Sequence, residues 1–199
     1  MKKVILPIII LVCIGCKDNA VSKKVKEVNN NVTNTSNAVK EMNKMQEDIV
    51  DLQNTEPLTN DALKAWLPEE VNGMKRISYK AGQMGVIQIG SIEATYANED
   101  KSKKFKIELI DGAGAMGASA TAGMRMMFSQ EFEEENEQSS RRTAKRNGIK
   151  VIEEYKKTQN NSTIQYMQDK RFYIRGTGTN MDLDETWNAL KEFDTEDLT

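Results

Sequence analysis

Apolar residues follow three different patterns along the chain, and each pattern predicts a different kind of structure. They form an unbroken run over 4–14, recur every three or four residues over 18–56, and alternate with polar residues in short segments of 57–199. The run is too short to span a bilayer, which takes about 20 residues, and has the length of the apolar part of a secretion signal. The second pattern predicts an amphipathic helix, and the third predicts half-buried strands.

The segment 57–199 combines helix start signals with strand patterns. Thr59 is placed to cap a short helix, and Asp182 with Glu185 forms a capping box for a last helix. The segment 112–132, rich in small residues and then in Met, also predicts a helix. Strands are predicted at 74–79, 86–97, 104–109, 149–156, 163–168 and 171–177. Strands with few, segregated helices indicate an α+β fold, an antiparallel sheet flanked by helices.

The apolar run at the start of the chain ends in a specific motif. Two lysines precede the run, and Ile14-Gly15-Cys16 closes it. This arrangement resembles the signal of bacterial lipoproteins. The resemblance implies that 1–15 is a cleaved signal peptide and that Cys16 carries acyl chains such as palmitate; two or more such chains hold a protein stably at a membrane. The alternative is an uncleaved anchor, or an ordinary secretion signal with incidental cysteines.

The residues after Cys16 bear on the location of the protein. Lys17 follows the cysteine directly and Asp18 comes next, so the familiar inner-membrane retention pattern, with Asp directly after Cys, is absent. The resemblance therefore implies a cell-envelope protein anchored by lipid in the outer membrane. Its placement on the periplasmic or the surface side stays open.

The segment 16–56 is predicted to be a helical stalk between the anchor and the domain. Its apolar positions have the spacing of a heptad seam, which favours a coiled coil that self-associates. Many asparagines weaken helix formation, so a semi-ordered tether is the alternative. The seam consists of Val21, Val25, Val28, Val32, Thr35, Val39, Met42 and Ile49.

Short motifs in the domain 57–199 resemble a known family. They are Leu67-Pro68, Gly73-Met74-x-Arg76, Arg171-Phe172-x-Ile174-x-Gly176-x-Gly178 and Phe193-Asp194. Over about 66–194 the chain is similar to bacterial lipoproteins with a PsbP-like domain, whose function is uncharacterised. The resemblance implies an antiparallel sheet flanked by helices and a role in binding other proteins, and it brings no shared catalytic residues.

Composition excludes several classes of function. The chain has no histidine and only two cysteines, Cys13 and Cys16. Zinc sites that need histidine, Ser-His-Asp triads and Cys-His pairs therefore cannot form. Lysines and arginines total 28 against 30 acidic residues, for a net charge of −2, which argues against a nucleic-acid partner. A hydrolase based on carboxylates is the remaining enzymatic alternative.

The sharpest chemical motif is the glycine pattern Gly112-x-Gly114-x-x-Gly117, which resembles a dinucleotide-binding fingerprint. The strand before it is half charged, whereas such a strand is normally apolar on both faces. The acidic segment 131–137 also runs into Ser and Arg rather than into a second strand with an acidic end. A strand-to-helix crossover with close packing is the favoured interpretation, and no cofactor is predicted.

Methionines, tyrosines and charged residues supply the other candidates. Met124, Met126 and Met127 offer thioethers to a metal such as Cu(I), or they fill the core or a groove. Tyr155, Tyr166 and Tyr173 lie on three successive predicted strands and line an interface or pack in the sheet. The acidic segment 131–137 and the basic segment 141–146 form a docking patch or a solvated surface.

These observations predict a lipid-anchored accessory module without catalytic activity. Its expected partners are the membrane, through Cys16, and another envelope protein, with self-association through the stalk as a further option. The alternative is a periplasmic or surface binder of a small apolar or metal ligand, which would use the Met-rich helix.

Overall fold

The computed structural model describes residues 39–40, 42–82 and 89–198. The chain divides into two compact units, Met1–Met45 and Gln46–Thr199. In the first unit the described residues, 39–40 and 42–45, are helical. The predicted signal, Cys16 and the stalk seam as far as Thr35 lie outside the described residues. So do residues 83–88, which include the start of the predicted strand 86–97.

The second unit is built on a nine-stranded antiparallel sheet. The strands are β1 (Glu70–Val71), β2 (Met74–Ala81), β3 (Ser91–Ala97), β4 (Lys104–Asp111), β5 (Glu133–Glu135), β6 (Ser139–Arg146), β7 (Ile149–Lys156), β8 (Asn161–Gln168) and β9 (Phe172–Thr179). Their order in the sheet is β1-β2-β3-β4-β9-β8-β7-β6-β5.

The second unit also contains helices, and the predicted α+β class with an antiparallel sheet is confirmed. They are α1 (46–53, the part of a helix that lies in this unit), α2 (Asn60–Ala65), α3 (Gly114–Ser129), α4 (Leu183–Leu190) and a last 3₁₀ turn, Glu196–Leu198. Both predicted caps form: Thr59 accepts the Ala62 N–H, and Asp182 and Glu185 make a reciprocal capping box at the start of α4.

The main core lies on one face of the sheet, which we call the closed face, beneath α2 and α4. Alternation on β4 points Phe105, Ile107 and Leu109 into this core, as predicted, and all three are fully buried. The core is closed at one end by aromatic contacts, among them Trp66 and Phe193 with ring centroids 5.2 Å apart. The closed face therefore holds the fold together by burial of apolar surface.

On the opposite face of the sheet, which we call the open face, α3 contacts β4, β7 and β8. Phe128 of α3, Ile152 and Tyr173 form a second, smaller core there. The buried guanidinium of Arg125 donates from Nε and Nη2 to the Lys170 carbonyl, both at 3.1 Å, and so fixes α3 to the β8–β9 turn. The smaller core positions α3 as one wall of a groove.

The sequence prediction missed the hairpin of β5 and β6. The expectation that 131–137 leads into no strand was wrong, because Glu133 pairs with Arg142 and Glu134 with Arg141 across the two strands. Opposite charges across a ladder replace the apolar alternation that marks an ordinary strand. The guanidinium of Arg141 also lies 4.6 Å from the centroid of the Phe132 ring.

The compact unit begins at Gln46, before the predicted domain boundary at 57. Leu52 of α1 is buried, and Asp48 pairs with Lys170 at 2.9 Å. The carbonyl of Thr55 accepts the Gly114 N–H at 3.0 Å. Residues 46–56 therefore pack as part of this unit.

Candidate functional site

The groove that forms the candidate site lies on the open face between α3 and the β2–β3 side of the sheet. It has a volume of about 370 Å³, within the range of roughly 300–1,000 Å³ typical of small-molecule sites. Its polar end is formed by Lys80, Gly82 and Ser91. Ile110 and Tyr173 from the sheet and Met124 from α3 form its apolar part.

Strand register builds the groove from parallel rows of side chains. Ser91 pairs with Ile110 across β3 and β4, and Ile110 pairs with Tyr173 across β4 and β9. This row is the floor beside α3. This row of side chains is apolar toward β9, because α3 covers that part of the sheet and excludes water from it.

A row of charged residues lies beside the floor, displaced from it by two residues on each strand. Successive cross-strand partners in this row are Lys80, Glu93, Glu108 and Arg175. Lys106, in the next row, bridges the two carboxylates: its Nζ lies 2.6 Å from Glu108 Oε1 and 3.3 Å from Glu93 Oε2. Arg175 Nη1 lies farther from Glu108 Oε2, at 3.6 Å. The charged row and Lys106 together form a network of three cations and two carboxylates.

The charges of this network do not cancel. Lys80, Lys106 and Arg175 stand against two carboxylates, which leaves one positive charge. Burial lowers the pKa of Lys106, but the hydrogen bonds and charges of Glu108 and Glu93 outweigh it and raise that pKa above its ordinary value. Lys106 therefore stays charged and remains paired with the two carboxylates. Within the described part of the chain, the Lys80 ammonium has no carboxylate at ion-pair distance.

The three candidate methionines differ in their surroundings on α3. Met124 and Met127 both pack against the smaller core, and Met124 also lines the groove. The Sδ of Met127 lies 3.9 Å from Arg141 Nη2. Met126 is 59% exposed. Of the three, it is Met124 that belongs to the groove.

The three candidate tyrosines lie on β7, β8 and β9 as predicted, but not on one face. Tyr166 is buried in the main core, with its ring 6.0 Å from that of Trp187. Tyr173 is on the open face, where its hydroxyl donates to Gln165 Oε1 at 2.6 Å. Tyr155 is half-buried and donates to Asn160 Oδ1. They do not form a single interface, and it is Tyr173 that contributes to the groove.

Burial of tyrosines predicts a loss of stability in alkali. Burial raises the pKa of Tyr166 above its ordinary value and that of Tyr96 to about 12. Because the folded state favours the neutral phenol, the two tyrosines contribute to the free energy of unfolding. This contribution is complete below about pH 10 and is lost as the pH rises through the pKa of each tyrosine in the folded state. We expect Tyr166→Phe to reduce the alkaline loss, measured by urea unfolding at about pH 8 and pH 11. The exposed-site control Tyr79→Phe should leave the loss unchanged; an equal effect of both variants would contradict the assignment.

The glycine pattern forms the crossover between β4 and α3. A Cβ on Gly117 would lie 2.5 Å from the Asp111 carbonyl oxygen, and one on Gly112 would lie 2.6 Å from the Arg171 carbonyl oxygen. The N–H of Gly114, at the start of α3, already donates to Thr55. These glycines permit close backbone packing, in agreement with the crossover interpretation.

Sequence reasoning missed the buried carboxylate that organises this crossover. Asp111 is fully buried and accepts hydrogen bonds from the Leu58 and Ala113 N–H groups, at 2.8 and 3.0 Å. Arg171 donates to both of its oxygens, at 2.7 and 2.8 Å, and this bonding raises the Arg171 pKa further. One signal was available: Asp111 continues the inward-facing alternation of Leu109 on the same strand.

Residues 39–40, 42–82 and 89–198 contain no group of three or more Cys, Asp or Glu side chains placed to hold a metal ion. In the same part of the chain, no helix has both the length and the apolar character needed to cross a membrane.

Comparison with known proteins gives little further information. No family model and no curated protein matches the chain. A solved structure, described as a GTP binding regulator from Thermotoga maritima, is similar with a TM-score of 0.33 and 10% sequence identity. The similarity covers 68% of this chain and 87% of that one. A similarity of this size supports no inference about function.

Proposed function

We propose that this protein is a lipid-anchored lipoprotein of the cell envelope that acts as a non-catalytic interaction or accessory module. Cys16 carries the acyl chains, and the outer membrane is the proposed location. The domain presents the open face of its sheet to another envelope protein. The observation that carries the proposal is the charged row beside the groove, a continuous, solvent-accessible line of polar side chains across four strands.

The state of the carboxylates on this surface supports binding over hydrolysis. Glu93 and Glu108 both contact Lys106, and Glu108 also faces Arg175. Hydrolysis by two carboxylates requires both of them to face the scissile bond of a substrate. Glu93 and Glu108 are instead occupied by the same ammonium group, that of Lys106. Such a surface suits complementary contacts with a partner, which set specificity and orientation.

The PsbP-like assignment is part of the same proposal. Its motif residues have structural roles in the fold: Arg76 Nη1 donates to the Leu67 carbonyl at 2.8 Å, and Arg171 holds Asp111. Gly176 and Gly178 lie beneath α4, where a Cβ would meet Leu190 and Thr186. Motifs with these roles are consistent with a shared fold and do not specify an activity.

The proposed stalk separates the domain from the membrane. Val39 and Met42, two of its seam residues, are 50% and 69% exposed. Exposed apolar seam residues suit association with a second stalk, and the tether remains the alternative. Crosslinking of Met42→Cys in the membrane-bound chain distinguishes the two, since a paired seam gives covalent dimers and a tether gives monomers.

A second candidate function is the binding of a small apolar ligand in the groove. Met124, Ile110 and Tyr173 supply an apolar wall and floor. The metal-ligand form of this alternative receives less support, since Met126 is exposed and the Sδ of Met127 lies beside the Arg141 guanidinium. The proposed binding site is therefore the groove rather than the whole Met-rich helix.

Substitution of the anchor cysteine tests the main proposal. We expect Cys16→Ser to abolish labelling by a radioactive fatty acid and to release the chain from the membrane fraction, since no acyl chains remain to hold it. Cys13→Leu is the control, because it removes the other cysteine and keeps an apolar residue in the signal, and it should keep both the label and the membrane location. Labelling that persists in Cys16→Ser would refute the anchor.

The proposed interaction with another envelope protein is tested by measuring the mass of the native assembly. Native mass spectrometry of the detergent-solubilised chain from its own host should show an added mass the size of a protein, beyond the acyl chains. The added mass should disappear when Arg175→Glu reverses one charge of the row. A chain that carries acyl groups alone, in repeated preparations, would contradict a stable protein partner.

A further inference from the structure

We propose that the groove binds an amphipathic molecule with an apolar chain and a single anionic head, of the long-chain carboxylate class. This inference rests on the second candidate function and is independent of the anchor at Cys16. The head would lie at the Lys80 end of the groove and the chain along the floor, toward Met124 and Tyr173.

The apolar part of the groove requires an apolar ligand body. Ile110 and Met124 are half-buried, and Tyr173 is buried on its packed side by Phe128, with ring centroids 6.4 Å apart. The hydroxyl of Tyr173 is already bonded to Gln165. These three side chains therefore offer the groove mainly carbon surface, which gains free energy when a ligand displaces water from it.

The polar end of the groove requires a single negative charge. Lys106 is occupied by Glu93 and Glu108, so those two carboxylates are already compensated. Lys80, which shares a ladder position with Glu93, is exposed, and within the described part of the chain no carboxylate lies at ion-pair distance from it. A monoanionic head at Lys80 neutralises the excess charge, whereas a cationic head would add to it. Charge complementarity thus selects a ligand whose head carries a negative charge.

The groove also fixes how the chain of the ligand is oriented. The floor crosses the strands from β3 to β9, and Lys80 on β2 lies one strand farther. Neighbouring strands are about 4.8 Å apart, so the distance from β2 to β9 across the sheet is roughly 14 Å. The extended chain of the ligand can therefore run along the floor, with one side against α3 and its head at the polar end of the groove.

The test uses the full chain in phospholipid nanodiscs and a photoreactive derivative of dodecanoate. After illumination, labelled peptides are identified by mass spectrometry, which separates ligand in the groove from ligand in the lipid. We expect label on the peptides that carry Ile110, Met124 and Tyr173. Unlabelled dodecanoate should compete for this labelling, and neither dodecylamine nor acetate should, because one has the wrong charge and the other has no chain.

Two substitutions locate the site. Met124→Glu places an anion in the apolar wall and should reduce the labelling about tenfold or more, the equivalent of 1.4 kcal/mol. Met126→Glu makes the same change two residues along the helix, at an exposed position, and should leave labelling unchanged. Lys80→Glu, at an exposed strand position that does not threaten folding, should also weaken labelling about tenfold.

Several results would overturn the inference. They are the absence of groove labelling in the unchanged chain, equal labelling of Met124→Glu and Met126→Glu, and competition by dodecylamine as strong as by dodecanoate. Thermal unfolding of each variant, followed by circular dichroism, verifies that it is folded. If Met124→Glu does not fold, Lys80→Glu and the competition by dodecylamine still decide the question. Loss of the anchor at Cys16 would alter none of these results.

Discussion

Asp111→Asn is expected to destabilise the second unit by about 3–5 kcal/mol, the usual cost of breaking a buried ion pair. The carboxylate of Asp111 is fully buried and receives four hydrogen bonds, two from backbone N–H groups and two from Arg171. An asparagine has one oxygen and one NH₂ group in the same space. Its NH₂ group would face a donor, and the Arg171 guanidinium would keep its charge without the carboxylate that balances it.

The measurement is urea unfolding of the full chain at neutral pH. Asp184→Asn provides the matched control, because Asp184 also pairs with an arginine, Arg146 at 2.7 Å, but its side chain is 82% exposed. An exposed pair contributes about 0–1 kcal/mol, so the control should change stability little. If the two variants lost the same stability, Asp111 would not be the organising residue of the crossover.

Gly117→Ala is expected to cost about 1–3 kcal/mol or more through overpacking at the start of α3. The new Cβ would lie 2.5 Å from the Asp111 carbonyl oxygen and 2.9 Å from the Gly112 carbonyl carbon. Both neighbours are backbone atoms of the crossover, so neither can turn aside as a flexible side chain could. We therefore expect α3 to move away from the sheet and the groove beside Met124 to change shape.

Gly123→Ala is the control on the same helix. Among the described residues, no atom outside the neighbouring backbone of the same helix lies within 4 Å of a Cβ at Gly123. Alanine is favoured over glycine in a helix interior by about 0.8–1.0 kcal/mol, so this variant should gain stability. Opposite signs for two identical substitutions, measured by urea unfolding, would establish close packing as the role of Gly117. A neutral result for Gly117→Ala would contradict it.

Much of the fold could be predicted from local patterns, because these patterns act within a few residues. Alternation on β4 identified its buried residues, and the capping box at Asp182 located the start of α4. The hairpin of β5 and β6 could not be found this way. Its strands place opposite charges across from each other, such as Glu133 and Arg142, and these cross-strand partners become visible only with the register.

The candidate site was less predictable than the fold. The sequence identified Met124 and Tyr173 as members of two larger sets, and the structure places these two in the groove. Lys80, Glu93, Glu108 and Arg175 were missed because each is an ordinary charged residue on its own strand. They become a site only when four strands bring them into one row.

The sequence by itself determined most of the helices and strands, with the buried sides of strands such as β4, since helix caps and strand alternation are local properties of the chain. It also carried the prediction of a lipid anchor at Cys16, which depends on a short contiguous motif. The tertiary structure alone decided which residues meet: Asp111 with Arg171, Lys106 with Glu93 and Glu108, and Met124 with the floor of the groove. These contacts depend on strand order and register, which are set by the packing of the whole sheet and by no single segment.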